Sequence, residues 1–178
     1  QVVESLPKNW LFVRGNVMIY LGLSMVMEGE YPQAVNMLTQ KYESLQQQRT
    51  VFGKRVLFSL AASHLLQGNL ELCRQTAELQ VRNAKEMNFL LMLGWGYYLL
   101  GRVYQEWNQL DLAAMYYKLV IDMGFNTNLY CSLESIAGYV YVLEAIGQHE
   151  LAQQSFDSLL HLFGEQISAT AQPIMALG

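Results

Sequence analysis

The stretch Leu99–Gly124, LLGRVYQEWNQLDLAAMYYKLVIDMG, decides the fold. At helical spacing it reads as two helices and a corner. Leu100, Gly101 and Tyr104 share one face of the first helix, and Ala113, Tyr117 and Val120 share one face of the second. Asn108 and Gln109 lie between the two apolar sets. Gly101 and Ala113 are small where two backbones must come close, so Gly101 is expected to face Ala113. Tyr104 and Tyr117 would fill the space beside them. Small against large across a tight corner is how an antiparallel helix pair packs.

The pattern recurs along the chain. Corner residues Gly29, Gly68, Asn108 and Gly147 are 39, 40 and 39 positions apart. Five residues after each comes a small one: Ala34, Cys73, Ala113 and Ala152. Seven before the corners stand Gly22, Ala61, Gly101 and Val140, and nine after them Leu38, Ala77, Tyr117 and Phe156. A period in the range of about 20–50 residues marks a stack of supersecondary units. The fold expected is all-α, a right-handed superhelix of about four antiparallel helical hairpins.

The hairpins are expected at about 10–47, 51–85, 89–123 and 127–163, within a single domain over 1–178. Asn9 is a candidate N-cap for the first helix, and Pro32 falls in the first turn of the second, where a missing N–H costs nothing. Gly124 suits the left-handed residue past a helix end, and Asn126 to Asn128 can cap the next start. One more period brings Leu177-Gly178 near the next packing position, which suggests a truncated fifth repeat in the tail after Ser168. The chain begins at Gln1 without a methionine or signal peptide, as expected of a fragment of a larger protein.

With 52% hydrophobic residues the composition fits either membrane segments or helices buried on several sides. The most apolar run, Phe89 to Gly101, is about 13 residues, short of the roughly 18 needed to span a bilayer. A cytoplasmic chain off the membrane is the expectation. Net charge is −4, and the residues after Phe89 hold two cations, Arg102 and Lys118, against eight acids. Without a basic stripe, direct nucleic-acid binding is not expected, because phosphate neutralisation supplies most of that affinity. Cys73 and Cys131 are far apart, and Cys73 holds a small-residue packing position, so they read as reduced thiols.

The units match the tetratricopeptide pattern best in the third copy, at Tyr97, Leu100, Gly101, Tyr104, Ala113 and Tyr117. The wording narrows the resemblance further. Leu6-Pro7 followed by Val13-Arg14-Gly15, Leu21-Gly22 and Gly29 resembles the sensor region of the large ATP-dependent LuxR-family transcriptional regulators, of the maltose-regulator type. So does Val103-Tyr104-Gln105-Glu106-Trp107-Asn108-Gln109-Leu110 with Ala113 and Tyr117. The resemblance implies effector sensing and protein interaction. It places ATP only at an upstream domain that is absent from this stretch, and GxxxxGK[ST] occurs nowhere in it. No cofactor or metal is expected here.

No catalytic constellation stands out, and an enzyme is not expected. HExxH, paired CxxC and GxSxG are absent. His64, one turn before a corner, reads as a packed histidine, His149 and His161 as surface or half-buried residues, and the acids after Phe89 as a solvated outer face.

The first helices carry a second face. In one frame fall Asn16, Ile19, Leu23 and Val26; Arg55, Phe58, Ala62 and Leu65; Trp95, Tyr98, Arg102 and Gln105; Glu134, Ala137, Tyr141 and Glu144. Stacked first helices line the concave side of such a superhelix. Asn16, Arg55, Trp95, Tyr98, Arg102, Glu134 and Tyr141 are therefore the candidate groove for a small-molecule effector, or for a peptide or protein partner. The competing reading is that they contact the next hairpin and form internal salt bridges. A free-standing adaptor that captures a peptide is the alternative function. The open end of the last hairpin, with Phe156, Leu159, Leu160 and Phe163, is a place for self-association.

Overall fold

A computed structural model describes residues 11–46 and 51–161. Every element among them is helical. The first hairpin is α1 (Leu11–Met27) and α2 (Tyr31–Gln46), and the second α3 (Val51–Leu66) and α4 (Leu70–Glu86). The third is α5 (Leu90–Glu106) and α6 (Leu110–Asp122), and the fourth α7 (Leu129–Ala145) and α8 (149–161). A short 3-10 turn, Gly124–Asn126, joins the last two hairpins. No helix among the described residues is long and apolar enough to cross a membrane. Asn9 and the tail after Ser168 lie outside the described residues.

The corners are built alike. Gly29, Gly68, Asn108 and Gly147 all take positive φ, between 56° and 86°, the left-handed conformation that glycine and asparagine adopt most readily. At the first corner Gly29 N donates to Val26 O and Glu30 N to Met25 O, the paired bonds of a Schellman helix end. The other three corners repeat both bonds. The residue after each corner then starts the next helix, its carbonyl accepting from Ala34, Cys73, Ala113 or Ala152 N. Those four small residues are completely buried. Asn128 caps α7 by accepting from Tyr130 N at 2.9 Å.

The hairpins stack in two layers. Each first helix packs on the next, α1 on α3, α3 on α5 and α5 on α7. The second helices α2, α4 and α6 each reach forward to the first helix of the following hairpin. The main core runs through α3 to α8, with Leu100, Val103, Tyr117, Val142 and Leu143 at its centre. A smaller cluster of Leu38, Tyr42, Val56, Leu57 and Leu60 joins the first hairpin to the second.

Beside Gly101 stands Tyr117, the large side chain expected there. The space above Gly101 is taken by the Tyr117 ring, which a Cβ there would meet at 2.7 Å. Gly138 on α7 bounds the same ring from the other side, at 2.5 Å from a built Cβ. The Tyr117 hydroxyl donates to Gln105 Oε1 at 2.6 Å. In the first hairpin Gly22 meets Leu38 and Ser59, the equivalents of Tyr117 and Gly138. Phe156, their counterpart in the fourth, is 42% exposed because no following hairpin lies over it among the described residues.

His64 is packed as expected, 6% exposed. Tyr31 Oη accepts from Asn69 Nδ2 at 2.8 Å and shares a hydrogen bond with His64 Nδ1, 2.7 Å away. Burial lowers the His64 pKa below its usual 6.5. A depressed base binds fewer protons folded than unfolded, so its contribution is complete above pH 6.5 and is lost as pH falls below it. The urea midpoint of the chain should fall between pH 7 and about pH 5.5. His64→Gln, which keeps a hydrogen-bond partner for Tyr31 without the titration, should flatten that fall. An equal fall in both proteins would place the titrating group elsewhere.

Candidate functional site

The stacked first helices enclose two adjoining cavities. One, of about 330 Å³, is lined by Asn16, Ile19, Tyr20 and Leu23 of α1, by Arg55 and Phe58 of α3, and by Trp95 of α5. The other, of about 700 Å³, is lined by Phe58 and Ala62, by Trp95, Tyr98, Arg102 and Glu106, and by Glu134 of α7. Phe58, Trp95 and Tyr130 border both, so they form the ridge between two compartments of one groove.

The ridge is aromatic and ordered. The Phe58 and Trp95 rings lie 4.6 Å apart, and Trp95 meets Tyr98 edge-on at 5.6 Å and 83°. These residues share a face because each sits one helical turn from the next on α5, or one period away on α3. A polar relay runs beside them. Arg102 Nη1 donates to Tyr98 Oη at 3.2 Å, and Tyr98 Oη donates to Glu134 Oε2 at 3.4 Å. Arg102 Nη2 also lies 3.6 Å from Glu106 Oε1. Arg102 Nε is buried without a hydrogen bond among the described residues.

The charges follow from these contacts. Burial alone would lower the Arg102 pKa, but the hydrogen bond to Tyr98 and the field of Glu106 outweigh it, and the guanidinium stays charged. Burial pushes the Tyr98 phenol up, so it remains a donor to Glu134. At Arg55 burial lowers the pKa, opposed by nearby Tyr20. Both cysteines are buried thiols, pushed up to about 12, and neither is a nucleophile at neutral pH.

Six of the seven candidate residues, Asn16, Arg55, Trp95, Tyr98, Arg102 and Glu134, thus border one groove. Tyr141 does not line it and stands 62% exposed on α7. Several bordering residues lie outside the rows read from the sequence, among them Glu106 and the two tyrosines Tyr20 and Tyr130, each 71% exposed. Tyr130 is one turn before Glu134, so extending that row would have found it, whereas Tyr20 lies within the span of its row, one turn after Asn16 and next to Ile19, and needed a wider face.

A corner of this type, a 39–40-residue period and a groove on the first helices are what a tetratricopeptide-type array presents. The family model of the MalT-like TPR region matches residues 1–176. The chain belongs to that family. The MalT-like TPR region is a helical-repeat type of sensing and interaction domain. A comparison with curated proteins gave no match.

Proposed function

We propose that this MalT-like TPR region is the effector-sensing and protein-interaction part of a bacterial LuxR-family transcriptional regulator, acting in the cytoplasm without catalysis of its own. The observation that carries the reading is the groove itself. An aromatic ridge stands between two compartments, with an Arg102–Tyr98–Glu134 relay along one wall. A few fixed polar groups on an apolar wall suit a ligand held by its orientation. Arg102 keeps donor capacity beyond its contacts with Tyr98 and Glu106, since its side chain is 36% exposed to the groove. The effector would shift the regulator between states by its differential affinity for them. ATP would act only in a separate domain, and nucleic acid would be bound outside this region. The last hairpin, with Phe156 and Leu160 exposed, offers a surface for self-association.

The test is a titration of the chain with a panel of sugars, amino acids and short peptides, followed by thermal shift. Arg102→Ala should weaken the hits roughly tenfold or more while leaving the far-ultraviolet spectrum intact. Lys118→Ala, which removes an exposed pair with Asp122 on the outer layer, should do neither. If Arg102→Ala melts earlier with every affinity unchanged, the relay is an internal ion-pair network and the groove reading fails.

A further inference from the structure

Positions one repeat apart, Asn16, Arg55, Trp95 and Glu134, form a row that crosses all four first helices, and each of them borders the groove. Across the stack the row reads amide, cation, indole, anion. Its members come from successive helices in direct contact, and packed helices lie about 8–10 Å apart. A polyproline II chain turns once every three residues with a rise of about 3.1 Å per residue, so one of its faces recurs about every 9 Å. A peptide laid along the row in that conformation shows one side chain to each of three successive first helices, α3, α5 and α7, at i, i+3 and i+6. The two periods coincide.

We propose that the groove takes an extended peptide segment in polyproline II conformation, with an acidic residue at Arg55, an apolar residue on Trp95 and a lysine or arginine at Glu134. Phe58 and Tyr98 hold the Trp95 ring from two sides, and an aromatic-lined groove is what such ligands dock on. Tyr98 donates to Glu134, which aims the carboxylate from the α5 side. The opposite charges lie on either side of the indole, two helices apart, so they select charge register as well as composition. This inference rests on the groove being the binding surface and adds the class and spacing of its occupant.

The test uses the 178-residue chain and fluorescein-labelled heptapeptides read by anisotropy. The probe is Asp-Pro-Pro-Leu-Pro-Pro-Lys. Controls carry Asp or Lys at both ends, or lack one proline between leucine and lysine. The mixed-charge heptapeptide should bind roughly tenfold tighter than all three controls. Arg55→Glu should transfer the preference to the doubly basic peptide, and Glu134→Arg to the doubly acidic one. The double variant should return it to the mixed peptide, because a polyproline II ligand can lie in either chain direction. Should a reversal variant lose its helical spectrum, Arg55→Gln and Glu134→Gln should each abolish discrimination at one end. Mixed and like-charge peptides binding within about twofold of one another, or single variants with unchanged preference, would overturn the proposal. If no peptide binds while an Arg102-dependent small-molecule hit remains, the peptide register is wrong and the groove survives. If both are missing, the groove reading falls with it.

Discussion

Gly138→Leu should cost about 3 kcal/mol or more, and Gly101→Leu about 2–3 kcal/mol, toward and beyond the upper end of ordinary overpacking. The Tyr117 ring lies between the two glycines, with built Cβ atoms meeting it at 2.5 and 2.7 Å. A ring crowded from one side usually escapes by shifting. Here a shift away from either glycine drives it into the other, and its hydroxyl is tied to Gln105. Replacing a mid-helix glycine returns roughly 1 kcal/mol of helix propensity, which reduces the loss without reversing it. Urea melts should show both losses, and Gln153→Leu on the exposed face of α8 should stay within about 0.5 kcal/mol of wild type. In a Tyr117→Ala background Gly138→Leu should cost much less, since the added side chain then enters the space the ring vacates. Equal shifts for Gly138→Leu and Gln153→Leu would refute the packing of Tyr117 between hairpins.

Leu38→Ala and Phe156→Ala alter the same place in the repeat, yet their effects should differ several-fold. Leu38 is completely buried, with Gly22 of α1 and Ser59 of α3 beside it, so truncation leaves a cavity and should cost about 2–5 kcal/mol. Phe156 is 42% exposed on α8, and its loss should stay below about 1 kcal/mol. The contrast measures burial by a following hairpin, which Leu38 has and Phe156 lacks among the described residues, since nearest-neighbour stacking is the main source of stability in a repeat array. A large loss at Phe156 would mean that something in the protein covers that face in solution.

The groove shows where reading the sequence sufficed and where it did not. Placing Trp95, Tyr98 and Arg102 on one face needs only the 3.6-residue period, and relating them to Arg55 and Glu134 needs only the repeat. Both are properties of the chain taken locally. That Arg102 hydrogen-bonds to Tyr98 rather than reaching Glu134 directly depends on side-chain reach between α5 and α7. So does the outward position of Tyr141, although its sequence frame matches that of Arg102.

The sequence by itself determined the helices, the corners and the family. A corner needs a residue that tolerates positive φ, and Gly29, Gly68, Asn108 and Gly147 declare it at a regular interval. The small residue five places on is needed to close the next helix against the first, so it too is visible without any tertiary contact. Only the tertiary structure decided what closes around each large side chain. Tyr117 was readable as the large residue beside Gly101, but Gly138 of the next hairpin, which completes the slot around its ring, was not. Periodicity assigns a residue to a face, whereas the neighbour it meets depends on how far one helix is staggered and rotated against another. That stagger is settled by the joint packing of three helices, and no single stretch of sequence encodes it.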